Sequence, residues 1–185
     1  MFIKSGEEMI RKAAAADVDS AARIYEHILE WEQQGRMSTG WLPDVYPVRA
    51  TAQAAFDRGD LFVYEKDGTV LASAVINQIQ MESYSEINWK YDAQDSEVMV
   101  LHTLSVEPAA IKNGIGTDFV RFYEKYAENA GCKVLRMDTN AKNRAARAFY
   151  KKLGFIESGI VPCVFNGIPD VQLVLLEKRL DCGGD

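Results

Sequence analysis

Hydrophobic positions along this chain change repeatedly between strand-like and helical spacing, and the changes divide it into short elements. A first strand is predicted near Met9–Ala13, and Asp17 or a neighbour can cap a helix with one apolar face. A second short helix is predicted over roughly Ala50–Arg58. Apolar runs on both sides of the Lys66-Asp67-Gly68 turn predict a β-hairpin over 61–80.

The second half of the chain carries stronger signals for the same alternation. A strand at 97–106 precedes a helix that opens at Gly114 and that Gly131 is placed to end. The later elements are a strand at 133–139, a helix within 143–155, and a hairpin of strands at 156–165 and 171–176. The predicted order is β-α-α-β-β-β-α-β-α-β-β. Because no linker, repeat or low-complexity tract interrupts it, a single domain over 1–185 is expected.

The glycines of Gly114-Ile115-Gly116 open the predicted helix directly after a strand and a turn. Glycines at a helix start let backbone N–H groups approach an anion closely, and the helix dipole favours negative charge there. For an isolated pair of glycines, a tight strand-to-helix turn is the better explanation. A dinucleotide fingerprint would need a third glycine where Phe119 stands, and the Gly-Lys-Ser/Thr of a P-loop is absent.

A second motif lies downstream of the glycine pair. With both motifs present, the chain resembles the GNAT superfamily of acyl-CoA-dependent N-acetyltransferases. The family's cofactor loop reads Gln/Arg-x-x-Gly-x-Gly/Ala and is similar to residues 111–116, although Ile111 stands where Gln or Arg is usual. Since that loop works mostly through backbone amides, the departure should weaken cofactor binding at most. The family's next motif, Asn-x-x-Ala-x-x-Phe/Leu-Tyr-x-x-x-Gly-Phe, is matched without a gap by Asn143, Ala146, Phe149, Tyr150, Gly154 and Phe155.

This resemblance implies a fold and a cofactor. The implied fold is α/β (α+β), a mixed, centrally splayed sheet of six to seven strands flanked by about four helices. The implied acyl donor is acetyl-CoA (coenzyme A), held by a cofactor core at about 97–155. Strand backbone would pair with the pantetheine arm, and the loop amides would hold the pyrophosphate. The implied cofactor-binding residues are Leu104, Ser105, Val106, Lys112, Asn113, Gly114, Ile115, Gly116, Thr117, Asn143, Ala146 and Tyr150.

A cluster of cations lies beside these motifs in a chain whose net charge is −6. Its members, with no acid among them, are Lys142, Arg144, Arg147, Lys151 and Lys152. A solvated helix face is one explanation. Contact with the phosphates of coenzyme A is an equally supported one.

Three residues are candidates for the chemistry. By the resemblance, the phenol of Tyr150 would protonate the leaving thiolate or donate a hydrogen bond to it, whereas by composition alone it would only pack the helix. His102 lies in the predicted central strand, where it is either a base that receives the amine proton or a hydrogen-bonded core histidine. Glu97, near the entrance of the strand, is the competing base, and a water chain is the third alternative.

The acceptor is expected to be a primary amine of a small molecule or peptide, attacking directly in a ternary complex because no cysteine or serine has a recognisable activating partner. The resemblance implies that the acceptor enters at residues 35–47 and 81–96. The segment 81–97 combines acids with aromatic residues, which suits a cationic amine, but a solvated loop whose aromatic rings cover the core is the slightly better explanation. Two other classes stay open. One is a non-catalytic acyl-CoA-binding or sensor module, and the other is a nucleotide-binding interaction domain that uses Gly114-Ile115-Gly116.

Composition, charge and cysteine spacing bear on the expected partners, location and metal content. Hydrophobic residues make up 48% of the chain, and the negative net charge argues against a nucleic-acid partner. No apolar run reaches membrane-spanning length and the first residues lack a signal-peptide centre, so no membrane partner and a cytoplasmic location are expected. Cys132, Cys163 and Cys182 form no ligand pattern with the two histidines, so no metal is predicted. The oligomeric state is open, and a homodimer is one of the states considered.

Overall fold

The computed structural model describes residues 8–180, and its elements follow the order predicted from the sequence. The elements are β1 (Glu8–Lys12), α1 (Asp17–Gln33), α2 (Arg49–Arg58), β2 (Leu61–Lys66), β3 (Thr69–Asn77), β4 (Val98–Val106), α3 (Ile115–Asn129), β5 (Val134–Asn140), α4 (Arg144–Lys152), β6 (Ile156–Phe165) and β7 (Ile168–Arg179). Within the described residues the strands form one seven-stranded sheet in the order β1-β2-β3-β4-β5-β7-β6. The expectation of a mixed sheet with helices on its faces is confirmed.

The centre of the sheet is its least regular part. β4 and β5 are the parallel pair, while the other neighbouring strands are antiparallel. The parallel pairing starts at Val98 with Val134 and stops at Leu101 with Met137. Beyond that point β4 stays paired to β3 as far as Val106, and β5 stays paired to β7. The two central strands therefore diverge, which is the predicted splay.

A bulge in β4 accompanies the divergence. The pairing register between β3 and β4 shifts between Ser73 and Val75, so that β4 carries an extra residue there. Thr103 lies in this stretch with φ of 51°, in the left-handed region. A β-branched residue adopts that region only at an energetic cost. Neighbouring structure must therefore hold Thr103 in place.

One face of the sheet is covered by α3 and α4. The sheet-facing positions of α3 recur at helical spacing, which explains why this segment is a helix and how it is oriented. Its fully buried members are Phe119, Val120, Tyr123 and Ala127. Gly131, with φ of 78°, follows the helix as predicted. α4 packs beside α3, with Tyr150 as its buried residue.

The opposite face is covered by two separate parts of the chain. α1 and α2 pack over β2 and β3, and residues 81–93 cover the side that includes β4, β5 and β7. The aromatics of this second cover, Tyr84, Trp89 and Tyr91, pack into the core rather than lining an open surface. The structure therefore favours the core-covering explanation for these aromatic rings.

Two local details differ from the sequence expectation. The N-cap of α1 is Ala16 without a side-chain hydrogen bond, and the carboxylate of Asp17 instead accepts from the Ala14 N–H and pairs with Arg11. β7 is also longer than predicted. Its Glu177 is fully buried because its carboxylate accepts hydrogen bonds from the backbone N–H groups of Lys90 and Tyr91, so an acid can continue the strand.

Cys132 and Cys163 are free thiols, and Cys182 lies outside the described residues, as does the first segment, 1–7. Across residues 8–180 there is no helix with the length and apolar character needed to cross a bilayer.

The hydroxyl of Tyr123 braces the paired part of β4 and β5. It hydrogen-bonds the carbonyl of Met99 at 2.6 Å and that of Arg136 at 3.0 Å, from a fully buried position. Tyr123→Phe keeps the ring and removes this contact, so the free energy of unfolding should fall by about 1–2 kcal/mol in a urea titration. Tyr126→Phe is the matched control, since the Tyr126 hydroxyl has no hydrogen-bond partner among the described residues. Equal stability of the two variants would contradict the bracing role.

Candidate active site

A cleft of about 540 Å³ opens where β4 and β5 diverge. Its walls include Thr103, Leu104 and Val106 of β4 and residues 138–140 of β5. Since these strands do not pair beyond Leu101, the cleft passes through the sheet. One end is lined by the starts of α3 and α4, and the other by α1, the loop after it and the β6–β7 hairpin.

The α3 end of the cleft is built from backbone. Lys112 and Gly114 have φ of 78° and 83°, which turns the chain sharply before the helix. The first backbone bond within the helix runs from the Asp118 N–H to the Gly114 carbonyl, so the preceding N–H groups of the first turn have no partner inside the helix. Residues 114–117 all line the cleft. This arrangement fits a phosphate group, which unpaired amides and the helix dipole would both favour.

Gly116 keeps this end open by having no side chain. A Cβ added there would meet the Phe149 ring at 3.3 Å, a distance tighter than most real contacts. Gly116 and Phe149 both line the cleft. The glycine motif and the motif that begins at Asn143 therefore contact each other at this point.

Asn143 positions α4. Its side-chain oxygen accepts a hydrogen bond from the Ala146 N–H at 3.1 Å and thereby caps the helix. The predicted cation cluster starts at the same point. Arg147 of this cluster pairs with Glu157, whereas the other members are exposed and make no ion pair within residues 8–180. Those cations are Lys142, Arg144, Lys151 and Lys152.

Tyr150 lies inside the cleft as a nearly buried residue, 8% exposed. Burial, followed by the negative charge of Asp138, raises the pKa of its phenol well above the usual value. The phenol therefore stays protonated at neutral pH. No group of the described chain hydrogen-bonds its hydroxyl, so that proton is available to a ligand.

Asp138 is a cleft residue that the sequence analysis missed. Tyr84 donates a hydrogen bond to its Oδ2 at 2.7 Å. Burial raises the pKa of the carboxyl to about 6, although the Tyr84 hydrogen bond acts in the opposite direction. A signal was present, because an acid ends the apolar run of β5 and ligands in such sheets bind near the carboxyl ends of parallel strands.

Aromatic rings form the wall at the far end of the cleft. Trp41, Tyr46 and Phe165 pack edge to face in sequence, with ring centroids 6.2 Å and 5.5 Å apart. The Tyr46 hydroxyl is hydrogen-bonded to the Thr103 hydroxyl, which ties this wall to the bulge in β4. Trp41 and Tyr46 lie in the loop after α1, within residues 35–47, one of the two segments that the family resemblance places at the entrance of the acceptor.

The two sequence candidates for the base are not brought to the cleft. His102 does not line it, and its Nε2 is hydrogen-bonded to Asn77 Oδ1 at 3.1 Å. Glu97 precedes β4 and pairs with Lys133, roughly 20 Å along the strand from Leu104 at the usual rise per residue.

Most of the predicted cofactor positions do line the cleft. Those that do are Leu104, Val106, Lys112, Gly114, Ile115, Gly116, Thr117, Asn143, Ala146 and Tyr150. Ser105 and Asn113 do not. The Ser105 side chain is buried and hydrogen-bonded to Ser73 on β3, because alternate residues of a strand point to opposite sides, and Asn113 is exposed in the loop.

Known proteins provide an independent comparison. The sequence profile of the acetyltransferase (GNAT) family matches residues 22–155. An uncharacterized N-acetyltransferase of Methanocaldococcus jannaschii is 32% identical over 76 residues, which cover 41% of this chain and 34% of that protein. The matched part therefore spans about a third of the length of this curated relative.

Solved structures share the fold. A putative acetyltransferase from Staphylococcus aureus Mu50 aligns with a TM-score of 0.70 at 21% identity, over 94% of this chain and 99% of that one. A putative acetyltransferase from Salmonella typhimurium, solved with its cofactor acetyl-CoA, aligns with a TM-score of 0.69 at 18% identity over 97% of both chains. At these identities the likeness shows a shared fold.

The two histidines should titrate differently. Burial lowers the pKa of His102 to about 4, whereas the hydrogen bond to Glu107 raises the pKa of the exposed His27. In NMR spectra recorded between about pH 5.5 and 8, the His102 ring should stay neutral and unshifted while the His27 signal moves. His27→Gln assigns the signals, since the chain has two histidines. A remaining signal in that variant that titrates near neutrality would contradict the burial of His102.

Proposed function

The chain belongs to the acetyltransferase (GNAT) family, and we propose that it transfers the acetyl group of acetyl-CoA to a primary amine of a small molecule or peptide. One observation carries the proposal: the cleft through the splayed sheet joins unpaired helix amides at one end to a pocket with a carboxylate at the other, and the Tyr150 hydroxyl lies in it. A donor and an acceptor can therefore enter from opposite sides and meet beside Tyr150.

The donor end suits the parts of acetyl-CoA in turn. Backbone of β4 around Leu104 and Val106 has no β5 partner and is free to pair with the amide groups of the pantetheine arm. The N–H groups of 114–117, with Lys112 beside them, would hold the pyrophosphate. The exposed cations of α4 would add attraction for the remaining phosphate. The Salmonella typhimurium protein, which shares the fold, was solved with acetyl-CoA.

In the reaction, acetyl-CoA supplies the acetyl group. A bond forms between the amine nitrogen and the acetyl carbon, and the carbon–sulfur bond breaks. Tyr150 donates its phenol proton, or a hydrogen bond, to the leaving sulfur. A phenol that has given up its proton recovers one from the nitrogen that attacked. Direct attack needs no acyl-enzyme, and neither described cysteine lines the cleft.

The amine must also lose a proton before it can attack. His102 and Glu97 lie outside the cleft, so either of them could act only through water. With its pKa lowered to about 4, His102 would also hold a transferred proton poorly at neutral pH.

Acetyl-CoA should stabilise the protein against heat. A ligand at one hundred times its dissociation constant adds about 2.7 kcal/mol to the free energy of unfolding, which a melting curve resolves easily. Gly116→Val should abolish the shift, because the side chain would both meet Phe149 and fill the amide cradle. Ala130→Val places the same side chain at the other end of α3 and should keep the shift. No shift for the wild-type protein would argue against the proposed donor.

Tyr150→Phe should separate chemistry from binding. In an assay of thiol release from acetyl-CoA with a panel of primary amines, the variant should lose roughly 10²–10⁴ in turnover, while acetyl-CoA affinity stays close to the wild-type value. The reason is that the variant keeps the buried ring and loses its proton donor.

Tyr126→Phe serves as the control for this assay, since Tyr126 packs against Phe62 and Phe122 and does not line the cleft. Wild-type turnover in Tyr150→Phe would assign Tyr150 a packing role. A wild-type protein that binds acetyl-CoA but acetylates no amine would instead be an acyl-CoA-binding module.

A further inference from the structure

The cleft is charged unequally along its length. Among its described lining residues Lys112 is the one cation and Asp138 the one acid. Lys112 belongs to the loop before α3, at the end assigned to the donor phosphates. Asp138 lies on β5, on the strand face opposite to Leu135 and Met137, which pack against α3. The end that remains for the acceptor therefore carries a negative group and no positive one.

The carboxylate of Asp138 is only half satisfied by the protein. Oδ2 accepts the hydrogen bond of Tyr84, whereas no donor of residues 8–180 reaches Oδ1 and no cation pairs with the group. Oδ1 is also not among the buried atoms that lack a partner, so it is accessible. A partly buried carboxylate without a cation is costly, and a ligand that brought a cation would remove that cost.

Four titratable groups face Asp138 from neighbouring elements. Tyr46 comes from the loop after α1, Tyr84 from the turn before β4, Tyr150 from α4 and Cys163 from β6, and the charge of Asp138 affects the pKa of each of them. None of these groups is a cation at neutral pH. The nearest cation along β5 is Arg136, but its guanidinium stacks on Trp89 and hydrogen-bonds Gln80, and it makes no ion pair with Asp138.

The walls around Asp138 are apolar. Trp41, Tyr46 and Phe165 form the aromatic wall, and Val171 and Leu173 of β7 complete the lining beside it. Burial of an aryl or alkyl group against these walls is favourable, and the walls offer no partner to a second charge on the ligand.

We propose that Asp138 binds the acceptor as its ammonium ion and then takes its proton, and that the acceptor is a primary amine carried on an apolar body. This assignment rests on the proposed acetyl transfer and names the substrate class and the proton acceptor of the same site. It also accounts for the base, which neither His102 nor Glu97 supplies from within the cleft.

The proton step balances without any further reactant. The N–H bond of the ammonium breaks, an O–H bond forms at Oδ1 of Asp138, and the lone pair left on nitrogen becomes free to attack. The ion pair becomes a neutral pair, which the apolar surroundings favour. After the product leaves, Asp138 returns the proton to solvent. A carboxyl whose pKa is raised to about 6 is suited to both acts near neutral pH.

Binding tests this inference without turnover. Phenethylamine titrated into the coenzyme A complex at about pH 7.5 should bind wild type at least tenfold more tightly than Asp138→Asn, which keeps the shape and removes the charge. Asp92→Asn removes an exposed acid of the covering segment as the matched control and should bind as wild type does. Equal affinity for wild type and Asp138→Asn would overturn the role of Asp138.

The same titration, with two further ligands, tests the proposed substrate class. Phenylalanine adds a carboxylate, which has no cation to meet at this end of the cleft, and phenylalaninamide presents the amine as a peptide would. Phenethylamine should bind at least tenfold more tightly than phenylalanine. Equal binding of the two would overturn the apolar-amine class, and tighter binding of phenylalaninamide would replace it with a peptide amine.

Kinetics then separates proton transfer from a purely structural role. The kcat/KM of wild type should fall as the pH drops through about 6, because protonated Asp138 can neither hold the ammonium nor accept a proton. In Asp138→Asn, kcat/KM should fall roughly 10²–10⁴-fold at neutral pH and the limb near pH 6 should vanish. Tyr84→Phe removes a hydrogen bond that lowers the pKa of Asp138, so its limb should move to higher pH.

An unmoved limb in Tyr84→Phe, together with a retained limb in Asp138→Asn, would overturn the proton-transfer role. The outcome is distinct from failure of the proposed function. If wild type releases no thiol with any amine of the panel, acetyl transfer fails, and the binding titration still decides whether Asp138 holds an ammonium.

Discussion

The separation of β4 from β5 after Leu101 and Met137 is the constraint on which the rest of the site depends. Two parallel strands in the middle of a sheet normally satisfy each other's backbone groups along their whole length. Here the pairing ends part-way, while each strand stays paired with its outer neighbour, β4 across the bulge. A slot lined with backbone is the result, and the starts of α3 and α4 lie against it.

The slot between β4 and β5 must be stabilised by contacts around it. The Tyr123 hydroxyl contacts both strands just before they part, and Glu177 anchors the covering segment through the backbone of Lys90 and Tyr91. Arg136 adds a second anchor, since its guanidinium stacks 4.1 Å from the Trp89 ring and hydrogen-bonds Gln80 at 2.6 Å. These buried polar contacts fix the depth and direction of the slot more firmly than apolar packing alone would.

The sequence was informative where the signal is local. Gly114 and Gly116 together with the motif from Asn143 to Phe155 carried the family resemblance that implied a donor end, and the local hydrophobic periodicity predicted the strand order. Asp138 ends the apolar run of β5, which is a local signal, but its role depends on the hydrogen bond from Tyr84 and on its proximity to Tyr46, more than ninety positions away in the chain. Likewise, the sequence left open whether His102 is a base or a hydrogen-bonded core histidine, because the side of β4 that meets the cleft depends on a bulge that no local pattern predicted.

Two of the three rings of the aromatic wall, Trp41 and Tyr46, come from the loop after α1, which is neither a strand nor a helix, whereas the proposed donor end is built from backbone amides and two helix starts. Loops accept substitutions and insertions that a sheet would not tolerate. Over evolutionary time such a division would let acceptor preference drift while the donor end stayed intact. The Staphylococcus aureus protein keeps the fold at 21% identity, a degree of sequence change that leaves ample room for such drift. By the same logic, a mutational library confined to residues 37–46 would be the economical route to an enzyme with a new choice of amine.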